Sequence, residues 1–256
     1  AGADDGVVVV DQDDDLGAGV ERDDLRELDA GPLGDPLEVV RSGAFARVPV
    51  MFGTNRDEVK LFALMGSDHV ARLFGIPLWL KDERAYQLET EFPSLMWKLR
   101  GVDAPARAMV SVTPGRVFAY RFDWDEERKL LFADLSKMVG AGHAVEIPFV
   151  FGGLGLGGMD RFFFDAEHRP AAERLSQSMM SYWAEFAYTG DPGKGRSNNL
   201  PQWKAWSDTD KYMILDSEED QGLVMVGSEV TVNSIFNELT TDERFTKDEK
   251  SQSLFR

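Results

Sequence analysis

Short apolar runs alternate along this chain with longer stretches of helical period, and the two patterns predict different elements. Val48 to Phe52 is a compact apolar run closed by Gly53, which reads as a buried strand. Val117 to Phe122, aromatic and β-branched and opened by Pro114-Gly115, predicts a second strand. Tyr212 to Leu215 and Leu223 to Val226 predict two more at a sheet edge. Elsewhere the spacing is helical. Val59, Leu61, Phe62, Leu64 and Met65 follow Glu58 and predict a helix that ends at Gly66. Pro36 to Ser42 predict one or two helical turns. The stretch from Ser67 to Pro114 predicts helical pieces broken by Pro77, Pro93 and Pro105, with Tyr86, Leu88 and Phe92 on one face. Leu175, Met179, Tyr182, Trp183, Phe186 and Ala187 form the core stripe of a long helix after Pro170, stopped by Thr189-Gly190-Asp191-Pro192-Gly193. Strands alternating with helices argue for the α/β class.

The flanks differ from this middle. Residues 1–35 are rich in Asp and Gly and predict an irregular acidic approach segment with one edge strand, Val7 to Val10. Residues 36–236 form the main domain, and 237–256 a polar tail. The acids from Asp11 to Asp15 do not fit a calcium-binding EF-hand loop. Counted from Asp11, the glycine and glutamate that such a loop requires are replaced by Leu16 and Arg22. A length of 256 residues suits one large domain or part of one, and 43% hydrophobic with 29% charged residues is ordinary globular composition. The net charge of −17 repels phosphate backbones and anionic lipid, so neither nucleic acid nor membrane is an expected partner. Absence of cysteine excludes disulfides and thiolate zinc sites. The start of the chain carries no basic segment followed by an apolar one, no run is long and apolar enough to span a bilayer, and a cytoplasmic location is expected. Ala1 in place of an initiator methionine fits a processed or truncated chain.

Two loops carry candidate chemistry. Gly53-Thr54-Asn55-Arg56-Asp57-Glu58 follows the first strand, and Gly140-Ala141-Gly142-His143 leads into the apolar run Ile147 to Phe151. In α/β sheets functional side chains gather where strands end and loops begin. A catalytic histidine needs a carboxylate that fixes its tautomer and steadies the imidazolium. Glu58 fits that role, with Asp57 as rival; a helix-initiating carboxylate that suits the helix dipole is the plain alternative. Of the three histidines, His69 lies in a polar turn and His168 beside Glu167 and Arg169 at the expected surface. His143 sits among small residues that permit close approach, although a packed structural histidine has the same surroundings. The nucleophile is what the sequence lacks: no Gly-x-Ser-x-Gly occurs in it. Gly153-Leu154-Gly155-Leu156-Gly157-Gly158 spells a dinucleotide fingerprint, but no strand ending in an acid follows at the required distance. His143 and Glu146 stand at metal-ligand spacing without a nearby third ligand, and Pro148 disfavours a regular helix there. Phe162 to Phe164 are candidates for either a pocket wall or core packing.

Taken together these segments resemble the carboxyl-terminal half of a type-B carboxylesterase, the family that includes the cholinesterases. The resemblance rests on Val48 to Glu58, Tyr120-Arg121-Phe122-Asp123-Trp124, Gly142 to Gly152, Met180 to Pro192, and Leu200-Pro201-Gln202-Trp203, in that order. It implies the carboxyl-terminal portion of an α/β-hydrolase fold, with a mixed, mostly parallel sheet and flanking helices. It implies that Glu58 is the triad acid and His143 the base, acting on small-molecule carboxylic esters without a cofactor or metal. The serine and the oxyanion hole would come from an amino-terminal half, the expected partner, so the chain alone should be inactive. The alternative from the same resemblance is a non-catalytic, cholinesterase-like interaction domain.

Overall fold

The computed structural model describes residues 36–155, 163–164, 166–244 and 246; the expected segment 1–35, the later glycines of the fingerprint, Phe162 and the end of the tail lie outside them. In chain order, helix α1 (Pro36–Ser42) leads to strand β1 (Val50–Asn55) and helix α2 (Lys60–Gly66). Strands β2 (Val70–Leu73) and β3 (Ile76–Leu80) form a hairpin before helix α3 (Glu83–Lys98). A π-helical turn, Leu99–Asp103, joins α3 to α4 (Ala104–Val110). Strand β4 (Val117–Phe122) follows, then a small hairpin of β5 (Lys129–Leu130) and β6 (Ala133–Asp134). Short helices α5 (Leu135–Met138) and α6 (Ile147–Val150) precede the long α7 (Arg169–Thr189). Strands β7 (Tyr212–Leu215) and β8 (Leu223–Val226) and helix α8 (Val232–Thr241) complete the described chain.

The main sheet has the order β1-β4-β7-β8. Its first three strands are parallel and β8 is antiparallel to β7. Strand alternation sends its side chains to two cores. Phe118, Phe122, Met213 and Leu215 pack with Phe149, Leu175, Met179, Tyr182 and Trp203 on the α7 side. Val117, Ala119, Tyr212 and Ile214 pack with Val102, Ala106 and Trp206 on the α4 side. Cover on both faces explains why the interior strands β4 and β7 read as continuous apolar runs. Among the described residues no helix is long and apolar enough to cross a membrane.

The structure departs from the sequence reading at several places. Residues 70–80 form a hairpin rather than helix; Phe74 and Gly75 make a tight turn with φ of 51° and 82°, and Pro77 lies within β3. Pro93 sits inside α3 without ending it, and Pro105 lies in the first turn of α4, where a missing N–H leaves no helical bond unmade. Of the two strands expected at an edge, β8 is there, whereas β7 is interior.

Strand β1 also runs past Gly53, which does not close it. Gly53 pairs with Tyr120 across the parallel ladder. A Cβ built there would lie 1.9 Å from the Tyr120 ring, so the phenol occupies the place of a side chain. Gly53→Ala is therefore expected to cost about 3 kcal/mol, the upper range for overpacking. A urea-unfolding midpoint unchanged from the parent would refute this packing.

Candidate active site

The carboxyl end of β1 opens directly into the turn that holds Glu58. The carboxylate is buried, 4% exposed, and each oxygen has work. Oε1 accepts the Asn55 backbone N–H at 2.8 Å and the Thr54 hydroxyl at 3.1 Å. Oε2 lies 2.7 Å from Nδ1 of His143. An ionised carboxylate only accepts, so this contact puts the imidazole proton on Nδ1 and leaves the Nε2 lone pair free to take another.

His143 belongs to the loop between α5 and α6. Asp57, the rival acid, holds this loop instead of the imidazole. Its backbone N–H donates to the Ala141 carbonyl at 2.9 Å, and its Oδ2 accepts the Ala141 N–H at 3.2 Å. Its charge is matched by Lys60 and Arg56, both at 3.0 Å. Gly140 permits the close approach: with φ at 50°, a Cβ there would meet Asp57 Oδ2 at 2.6 Å and the Ser136 carbonyl at 2.9 Å.

The environment of the imidazole is half apolar. The His143 side chain is 43% exposed, and its ring centroid lies 5.2 Å from that of Phe62 and 5.4 Å from that of Trp97. Phe62 lies four residues after Glu58, in the helical run that follows the acid in the sequence. Trp97 carries no such signal, because it arrives from the far end of α3.

Glu146 lies close enough to Glu58 and His143 to interact electrostatically with both. Burial pushes its carboxyl above the usual range, and a hydrogen bond from Asn55 Nδ2 opposes that shift. Tyr120 beside it is likewise pushed up by burial and by the charges of Glu146 and Glu58. Among the described residues, no group of three or more His, Cys, Asp or Glu is arranged to hold a metal ion. His69 immediately precedes β2 and His168 immediately precedes α7, so neither belongs to this cluster. Phe164 is core, packed against Trp124 and Phe149.

The sequence profile described as the carboxylesterase family matches residues 82–232. The chain is 33% identical over 196 residues to para-nitrobenzyl esterase of Bacillus subtilis (strain 168), covering 72% of this chain and 37% of that protein. It is 29% identical over 209 residues to carboxylesterase 5A of Homo sapiens, covering 71% of this chain and 35% of the relative. It thus spans little more than a third of the length of these curated relatives. Among solved structures, the Geobacillus stearothermophilus carboxylesterase EST55 superposes with a TM-score of 0.51 at 23% identity, over 78% of this chain and 42% of that one. The fold is that of the α/β-hydrolase esterases, with a mixed, mostly parallel sheet and flanking helices.

Proposed function

This chain belongs to the carboxylesterase family, and from that premise we propose that it supplies the acid and base of a serine-dependent carboxylic ester hydrolase. Glu58 is the acid and His143 the base. The nucleophilic serine and the oxyanion hole come from an amino-terminal half, because no Gly-x-Ser-x-Gly occurs in this sequence. The observation that carries the reading is the 2.7 Å contact between His143 Nδ1 and Glu58 Oε2. An acid and base kept in register also argue against a non-catalytic interaction domain.

In this mechanism the serine hydroxyl attacks the ester carbonyl carbon while His143 Nε2 takes its proton. The tetrahedral intermediate collapses, the alcohol leaves with the proton returned by His143, and an acyl-enzyme remains. Water then adds to the acyl carbon, again giving its proton to Nε2, and the serine leaves with that proton as the acid product is released. Glu58 holds the imidazole by Nδ1 throughout and balances the imidazolium charge.

A serine-directed fluorophosphonate probe applied to the native protein that carries this chain tests the proposal. Labelling of one serine upstream of residue 1, blocked by prior ester substrate, is expected. The 256-residue chain alone should neither label nor hydrolyse p-nitrophenyl butyrate at an enzyme-like rate. A native protein that resists the probe, or an isolated chain with enzyme-like turnover, would defeat this assignment.

A further inference from the structure

We propose that Asn55 is the positioning residue of the acid–base pair, holding Glu58 and the histidine loop in one register; the inference rests on the roles just given to Glu58 and His143. Asn55 is the last residue of β1 and is buried. Its backbone N–H donates to Glu58 Oε1 at 2.8 Å. Its side-chain amide spans to the other loop, where Nδ2 donates to the Gly142 carbonyl at 2.6 Å and to Glu146 Oε2. One residue thus grips the acid, the peptide just before the base, and the side chain three residues after it.

The chemistry of the three targets selects an amide. Each is an acceptor, and an asparagine Nδ2 offers two hydrogens to meet the two that lie across the gap. The isosteric aspartate would instead turn lone pairs toward a carbonyl and toward Glu146, and would add a third carboxylate beside Glu58 and Glu146. Asp57 also ties the loops together, but it acts two residues upstream of His143 and is itself matched by Lys60 and Arg56.

The backbone shows why the histidine needs such a grip. Ala144, directly after His143, has φ at 67°, in the left-handed region that a non-glycine residue avoids. Such a conformation persists only where surrounding contacts over-determine it. The two bonds from the Asn55 amide fall on residues 142 and 146 and straddle this position. Without them Ala144 relaxes, His143 turns with it, and Nδ1 draws away from Oε2. A misplacement of about 1 Å between reacting groups costs on the order of a hundredfold in rate.

The test uses the whole protein that carries this chain, with Asn55→Ala and the isosteric Asn55→Asp. Both are expected to lower kcat by roughly thirty- to a hundredfold with KM little changed. In proton NMR of the same proteins, the His143 Nδ1–H signal should broaden or vanish through faster exchange with water. Ala144→Gly, which accepts positive φ without strain, should restore part of both kcat and the Nδ1–H signal in the Asn55→Ala background. A merely structural amide would lower the melting temperature and leave the Nδ1–H signal of the folded protein in place. Persistence of that signal in Asn55→Ala with parental kcat, or no recovery on adding Ala144→Gly, overturns the proposal. If the unsubstituted protein hydrolyses no ester, the assignment of esterase chemistry falls, while the response of the Nδ1–H signal still decides what Asn55 does.

Discussion

Glu58→Gln should lower kcat for p-nitrophenyl butyrate by about four orders of magnitude in the complete enzyme, and His143→Gln by four to six. The glutamate case is the more telling, because glutamine keeps the shape and loses one acceptor. Oε1 already receives two donors, the Asn55 N–H and the Thr54 hydroxyl, and Oε2 faces Nδ1. A glutamine has a single oxygen. Turned toward Asn55 and Thr54, it leaves its NH2 group against Nδ1, which must then accept, so the imidazole proton moves to Nε2. That tautomer has no lone pair for the serine proton. Turned the other way, the amide sets two hydrogens against two buried donors, at a cost of about 1–3 kcal/mol for each one left unsatisfied. The first orientation therefore dominates, and the protein stays folded but idle. KM should hardly move, since neither side chain is asked to bind the ground state. Steady-state kinetics of the purified variants read the effect. A Glu58→Gln enzyme within tenfold of the parent would remove Glu58 from the mechanism.

How much of this arrangement was legible in the sequence depends on how local its causes are. β4, β7 and β8 have the expected bounds because each is an isolated apolar run bounded by polar or turn residues. The stop of α7 was equally plain: Gly190 takes φ of 75°, the left-handed cap that glycine adopts freely. β1 came out shifted because Gly53 reads as a terminator, whereas the Tyr120 ring standing in for its missing Cβ belongs to another strand. The β2–β3 hairpin was hidden by a phenylalanine in a turn position where asparagine or aspartate would signal it. Glu58 and His143 stood out as polar residues on glycine-containing loops flanked by apolar runs. Asn55 reads in the sequence as a turn-compatible residue able to anchor its own loop, and Trp97 not at all as a neighbour of His143. Both owe their importance to a partner far along the chain, and single-residue pattern carries no record of that.

Trp97 connects the site to the second large effect. The next residue, Lys98, is buried with its side chain 3% exposed, and it lies 2.6 Å from Asp103 Oδ2, whose side chain is fully buried. Asp103 also accepts the Val230 N–H, and Lys98 Nζ sits 4.2 Å from the centroid of the Tyr212 ring. The pair spans the π-helical turn between α3 and α4 and pins it to β7 and to the approach to α8. Burial pulls the Lys98 ammonium below its ordinary range and pushes the Asp103 carboxyl above its own, so both charges are held at a desolvation cost that their mutual contact chiefly offsets. Lys98→Met should therefore destabilise by about 3–5 kcal/mol, because Asp103 is left charged and buried with one backbone donor. Adding Asp103→Leu should recover most of that loss, since two apolar residues of similar size commonly replace such a pair without penalty. The single variant should also regain stability as pH falls. Asp103 has a folded pKa above its unfolded one, so its contribution is present below the unfolded value and is lost as pH rises through the folded value. Urea-unfolding midpoints of parent, single and double variants at neutral and acidic pH separate these outcomes. Equal midpoints for parent and Lys98→Met, or a double variant weaker than the single, would show that the ion pair does not hold the turn that follows α3.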